Sequence, residues 1–322
     1  MSTIAIHAEG LTKAYPRNVA VKHLNLDIPA GTIYGFLGPN GAGKTTTIRM
    51  LLGLIRPSAG TARVLGHDVV QARGQIAPLV GAMVETPAFY SYLSGLDNLR
   101  VLAASSGLAL PRARYDQLLE LVGLAGRARD KVKTYSLGMK QRLGVAATLL
   151  NDPQVVFLDE PTNGLDPAGT VDMRKLILRM GQEGRTVFLS SHLLHEVEQV
   201  CSEVAIVQHG ATIRQGRVRD LLAAAGQTGF AIEARPVDRA LAVLRQHPEL
   251  APDRRDRGQI HVHARPEEMP QVVRALVNAD VDVFQVLARR PSLESWFLEI
   301  TGNTSKASHP SQSNGDLSCG RY

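Results

Sequence analysis

The sequence predicts an α/β fold with a mostly parallel sheet, followed by a smaller α+β unit. Three observations lead there. Between Ile4 and Leu222, short apolar runs alternate with helix-like stretches. One run, Thr32 to Leu37, leads directly into Gly38-Pro39-Asn40-Gly41-Ala42-Gly43-Lys44-Thr45-Thr46, which has the spacing of a phosphate-binding loop. Another, Val155 to Leu158, is apolar throughout and ends in Asp159-Glu160-Pro161, as a parallel strand buried on both faces does.

The 322 residues are long for one domain and sufficient for two, and a hydrophobic fraction of 44% allows a proper core. The net charge of +6 is scattered, and no Lys/Arg run is interleaved with aromatics, so no nucleic-acid partner is expected. Cys201 and Cys319 have neither metal spacing nor a disulfide framework, which fits a reducing cytoplasm. The first residues, Met-Ser-Thr-Ile-Ala-Ile-His, lack the basic and apolar regions of a signal peptide. With no uncharged apolar run long enough to span a bilayer, the chain is not expected to cross a membrane itself.

Taken in order, Ile4–Leu11 and Val21–Ile28 alternate like strands and predict an antiparallel layer ahead of the loop. Tyr15 lies between them, either as an edge-strand aromatic or as a stacking platform for a base. A helix is expected from Lys44 to Ile55, then a turn at Arg56–Gly60 into a short strand. Val80–Val84 reads as a buried strand leading to Glu85. From Ser94 to Leu150 the pattern turns helical, with apolar residues such as Leu118, Leu119, Val122 and Leu124 at helical intervals, predicting a helical subdomain over about 86–150. Thr186–Ser191 and Val204–Val207 are further buried strands. The alternation ends at Leu222, closing a first domain over 1–222, and Ala223–Gly229 reads as a flexible join.

An accessory α+β domain is expected over 228–302. Its strands are Phe230–Ala234, Gln259–Ala264 and Val281–Leu287; its helices are near Val237–Gln246, Met269–Val277 and Pro291–Ile300. Asp253–Arg257 mixes charges as a solvated hairpin tip does. Residues 303–322 are nearly devoid of apolar side chains, so a disordered tail is expected.

The chemistry concentrates in the first domain. Glycines let the backbone wrap a polyphosphate with its N–H groups inward, and the helix that follows adds its positive end. Lys44 supplies a point charge for the phosphates, and the Thr45 hydroxyl can complete a Mg²⁺ shell. Asp159 closes a buried strand, where a carboxylate can hold Mg²⁺. If the strand persists, Glu160 points away from Asp159 and can polarise a water; a strand-end acidic pair without a role is the alternative. His192, after Ser190-Ser191, can reach a γ-phosphate oxygen. Its i, i+4 spacing to Glu196 suggests a metal pair, as does His195-Glu196, but Gln199 stands where a second histidine is needed, so zinc is rejected. His261 and His263 share one strand face, too few ligands for a structural metal site.

The succession of Gly38–Thr46, Tyr135-Ser136-Leu137-Gly138-Met139-Lys140-Gln141-Arg142, Val155–Pro161, Gly164-Leu165-Asp166 and Ser190-Ser191-His192 resembles the ATP-binding subunit of ABC transporters, over roughly Ile4 to Leu222. That resemblance implies a P-loop NTPase core in which Tyr15 stacks on adenine. Gly38, Pro39, Asn40, Gly41, Ala42, Gly43, Lys44, Thr45 and Thr46 would hold the phosphates and metal of ATP. Asp159 and Thr45 would support Mg²⁺, Glu160 would be the general base and His192 the switch histidine. Ser136 and Gly138 would close on the ATP of a second subunit, with Asp166 nearby, making the active unit a dimer. A separate membrane permease is the implied partner, and the cytoplasmic face of the membrane the implied location, held peripherally.

Two positions depart from the family pattern. The usual Leu-Ser-Gly-Gly-Gln reads Tyr-Ser-Leu-Gly-Met, keeping Ser136 and Gly138 and implying a looser contact across the dimer. Glu85 stands where a glutamine is usual. With Thr86–Tyr90 it resembles the subunits of bacterial exporters for bacitracin, lantibiotics and other drugs, and there it would join the metal when permease contacts close its loop; a solvent-facing glutamate at a strand end is the alternative. Leu293–Leu298 resembles the carboxy-terminal extension of such subunits. A soluble relative acting on ribosomes or DNA is the competing reading, but the chain has one phosphate loop and neither a coiled-coil nor a zinc insertion. A P-loop kinase would need neither the Ser136 loop nor His192.

Overall fold

The computed structural model describes residues 3–224, 229–254, 259–289 and 292–293. Contacts divide the chain into two compact units, Met1–Val218 and Arg219–Tyr322.

The first unit opens with a hairpin. Strands β1 (Ile4–Tyr15) and β2 (Asn18–Pro29) pair antiparallel, with Ile6, Ala8 and Leu11 buried opposite Ile28, Leu26 and Leu24. The alternation in the sequence ends the first strand at Leu11. The chain instead stays paired to Tyr15, because register shifts after Ala8 and Leu11 absorb the broken period. Next come β3 (Ile33–Leu37), α1 (Lys44–Leu51), β4 (Ala59–Val64), β5 (His67–Asp68), the short helix α2 (Arg73–Ile76) and β6 (Val80–Met83). β4 and β5 complete a four-stranded antiparallel sheet in the order β2-β1-β4-β5.

Three helices follow, α3 (Gly95–Ser105), α4 (Arg112–Leu121) and α5 (Leu137–Thr148); each contacts the other two, and Leu99, Leu118, Leu119 and Leu143 on them are buried. The remaining elements are β7 (Val155–Asp159), α6 (Pro167–Gln182), β8 (Thr186–Ser191), α7 (Leu194–Val200), β9 (Glu203–Gln208) and β10 (Ala211–Arg217). Helix α8 (Val218–Ala224) begins at the division. Six strands form the second sheet, ordered β10-β9-β3-β8-β7-β6, and every neighbouring pair is parallel except β10 with β9.

All residues of β7 and β8 are buried, matching their unbroken apolar sequence. Val80–Val84 is not fully buried as expected. It forms the edge strand β6, ends at Met83 and exposes Ala82; among the described residues only β7 pairs with it. The centre of the sheet is aromatic: the Phe36 and Phe157 rings each lie 5.4 Å from that of Phe188. All three are fully buried. Phe188→Ala is therefore expected to destabilise this unit by about 3–5 kcal/mol, read as a lowered urea midpoint at unchanged slope.

The second unit is a two-layer α+β structure. Strands β11 (Gly229–Arg235), β12 (Asp253–Arg254), β13 (Gln259–His263) and β14 (Asp282–Arg289) form an antiparallel sheet in the order β12-β13-β11-β14. Helices α9 (Val237–Leu244) and α10 (Met269–Asn278) lay Ala240, Leu241, Leu244, Val272 and Leu276 into a core shared with Ile232, Ile260 and Val262. β12, two residues long, has no sequence period and occupies the start of the expected hairpin tip. His261 is half-buried and His263 exposed, on the strand face opposite Ile260 and Val262. The expected helix Pro291–Ile300, apart from Ser292 and Leu293, the expected tail 303–322 and Cys319 lie outside the described residues. Cys201 is buried, and burial pushes its thiol pKa up, so it is no nucleophile.

Candidate active site

The carboxyl ends of β3, β7 and β8 lie side by side, with Leu37 opposite Ser191 and Asp159 opposite Ser190. Open α/β sheets take their ligands at this edge. The Gly38–Thr46 loop leaves β3 here, with Pro39, Asn40 and Gly41 exposed at its crest and Ala42 buried. Gly43 turns the chain into α1 at φ +99°, and a Cβ there would sit 2.4 Å from the Ala20 carbonyl oxygen, so no other residue fits. Helix α1 has no side-chain cap at its amino end and no acidic residue in its first turn. Its dipole and free N–H groups therefore favour an anion.

Lys44 is only 6% exposed. Its Nζ donates to the carbonyl oxygens of Gly38 (2.7 Å) and Pro39 (3.2 Å) and lies 3.1 Å from Glu160 Oε1. Thr45 Oγ1 donates to Asp159 Oδ2 at 2.7 Å. Ser190 Oγ donates to the other Asp159 oxygen at 2.5 Å and accepts from the Glu160 amide at 3.1 Å. His192 Nδ1 lies 2.8 Å from Glu160 Oε2.

Strand alternation is not what separates the roles of Asp159 and Glu160. β7 stops at Asp159, and Glu160 turns off at φ +49°, a conformation costly for glutamate and concentrated at functional sites. That turn brings Glu160 between Lys44 and His192. Its buried Oε1 is within ion-pair distance of the ammonium but without the alignment of a hydrogen bond, so it retains acceptor capacity. The donor set fits its expected ligands. A buried ammonium and an uncapped helix suit phosphate, while the Thr45 hydroxyl and Asp159 carboxylate offer the hard oxygens that Mg²⁺ takes.

Other expected site residues are held elsewhere. Tyr15 is 45% exposed at the end of β1, with the Lys13 ammonium 5.3 Å from its ring centroid. Ser136 caps α5, accepting from the Met139 amide at 3.3 Å, and Gly138 lies in that first turn. Asp166 caps α6, accepting from the Gly169 amide at 2.9 Å. Glu85 is 63% exposed in its side chain and bonds to Arg49 at 2.6 Å rather than to Thr45 or Asp159. Thr46 is half-buried on the first turn of α1. Sequence reasoning gave no role to Ser190 or Arg49. The Ser190 link depends on the β7–β8 register, and the Arg49 link on a turn at Glu85, neither of which is local.

A sequence profile of the family described as ABC transporter matches residues 21–163. The bacitracin transport ATP-binding protein BcrA of Bacillus licheniformis is 38% identical over 304 residues, covering 94% of this chain and 98% of that protein. The chain belongs to the ATP-binding proteins of ABC transporters. The daunorubicin resistance ATP-binding protein DrrA3 of Streptomyces coeruleorubidus is 37% identical to this ABC subunit over 308 residues, 94% of this chain and 98% of that one. Among solved structures, cbiO1 from Clostridium perfringens, part of the ABC transporter complex cbiONQ, is similar at a TM-score of 0.62 and 26% identity. It covers 76% of this chain and 96% of that one. The ABC subunit binds ATP and is an ATPase. Among the described residues, none of its helices is long and apolar enough to cross a membrane.

Proposed function

We propose that this ATPase drives a separate membrane permease that exports drugs or peptide antibiotics, acting from the cytoplasmic face of the membrane. One observation carries the reading. The likeness to proteins named for bacitracin transport and daunorubicin resistance covers 94% of the chain, so it runs well past Val218 into the second unit. The same names favour transport over action on ribosomes or DNA.

In this reading the Gly38–Thr46 amides, the α1 dipole and Lys44 hold the ATP phosphates. Glu160 Oε1 takes a proton from the attacking water, whose oxygen bonds to the γ-phosphorus as the bond to ADP breaks. His192 holds Glu160 through Oε2 and reaches towards the γ-phosphate. Mg²⁺ on Thr45 and Asp159, joined by Glu85, would neutralise charge on the phosphate oxygens. Tyr15 stacks on adenine through its exposed ring. Ser136 accepts from Met139 and so keeps its own O–H to donate. With Gly138 and Asp166 it meets the ATP of a second copy in a homodimer. The second unit serves regulation or dimer support.

Deleting the gene in its host is expected to lower the inhibitory concentration of bacitracin or daunorubicin. The wild-type chain should restore resistance and Glu160→Gln should not. Unchanged sensitivity to such drugs, combined with ATPase stimulation by RNA or DNA, would overturn the export reading.

A further inference from the structure

The segment that follows β6 joins two functional helices, and most of its tethers are firm. At its far end Asn98, 1% exposed, accepts from the Tyr90 amide at 2.8 Å and donates to the Tyr90 carbonyl at 3.1 Å. In its middle, Pro87 lies against α5, the helix that Ser136 caps. A Cβ at Gly144 of that helix would sit 2.9 Å from Pro87 Cγ and 2.6 Å from Met83 Sδ, so only glycine allows this approach. The third tether is different. Glu85 adopts φ +63°, an uncommon and costly conformation for glutamate, and its carboxylate meets Arg49 in the last turn of α1. Both side chains are largely solvated, at 40% and 63% exposure. Exposed ion pairs are weak, so this contact is the one that can exchange.

We propose that Arg49 is a positioning residue that holds Glu85 on the flank of α1, in competition with the metal beside Thr45 and Asp159. This rests on the metal role given to Glu85 above. A carboxylate oxygen that pairs with the guanidinium is withheld from a second cation. The pair's low strength means that Arg49 biases the segment without locking it. Through Pro87, the same exchange is transmitted to the helix that carries Ser136 and Gly138. Arg49 thus links occupancy of the metal site to the surface that faces a second copy.

The full-length chain can be titrated with Mn²⁺, followed by electron paramagnetic resonance, in the presence of a non-hydrolysable ATP analogue. Affinity for the analogue is measured separately in EDTA. Arg49→Gln is expected to tighten Mn²⁺ binding by about two- to fivefold, the range an exposed pair can supply. Arg49→Lys should stay near wild type, and neither variant should alter nucleotide affinity in EDTA. In a Glu85→Ala background, where no side-chain oxygen remains to release, Arg49→Gln should have no effect. Unchanged or weaker Mn²⁺ binding by Arg49→Gln, or a gain that persists without the Glu85 carboxylate, would overturn the role of Arg49. If Glu85→Ala alone binds Mn²⁺ as wild type does, the metal role of Glu85 fails first and this inference fails with it.

Discussion

Glu160→Gln is expected to keep ATP binding and to lose about 10²–10⁴-fold in turnover. The amide has the size of the carboxylate and can still pair with His192, so the crevice keeps its shape. What it loses is the ability to take a proton from water. It also loses the negative charge beside Lys44, which leaves that ammonium freer for phosphate. Binding should therefore hold or tighten while hydrolysis stalls, and an ATP-bound dimer should accumulate. Single-turnover hydrolysis and size-exclusion chromatography with ATP read both effects. Wild-type turnover by this variant would remove Glu160 from the role of base, whatever its distance to His192.

Lys44→Ala is expected to act one step earlier, on binding itself. A charge-assisted hydrogen bond contributes about 1.5–3 kcal/mol, so affinity for ATP should fall by roughly tenfold to more than a hundredfold. The variant also strips the Gly38 and Pro39 carbonyls of a donor and leaves Glu160 Oε1 buried without its counter-charge. Some loss of stability comes with it. Lys44→Met fills the same space without the charge and separates the two effects. A folded Lys44→Met chain that binds ATP with wild-type affinity would contradict the phosphate cradle described here.

Much of this site was legible because its signals are local. The Gly38–Thr46 spacing, the apolar run before Asp159 and the Ser190-Ser191-His192 triplet each lie within a few consecutive residues, and each marks the end of a parallel strand. The helical subdomain was legible for the same reason: its period spans turns of a single helix. The errors were of register and neighbourhood. The first strand runs on to Tyr15 through irregular pairing, and β6 lies at a sheet edge, a position that depends on which strands exist beyond it.

Composition and local spacing by themselves determined the α/β class, the phosphate loop and the candidate carboxylates, because glycine tolerance, helix period and strand burial act over a few residues. Only the tertiary structure decided how those groups meet. Thr45 and Asp159 are 114 residues apart in sequence and 2.7 Å apart in space. The left-handed turn that swings Glu160 between Lys44 and His192, and the one that gives Glu85 to Arg49, depend on the packing around each strand end. A single residue's φ redirects a side chain entirely, and no pattern of apolar and polar letters encodes that choice.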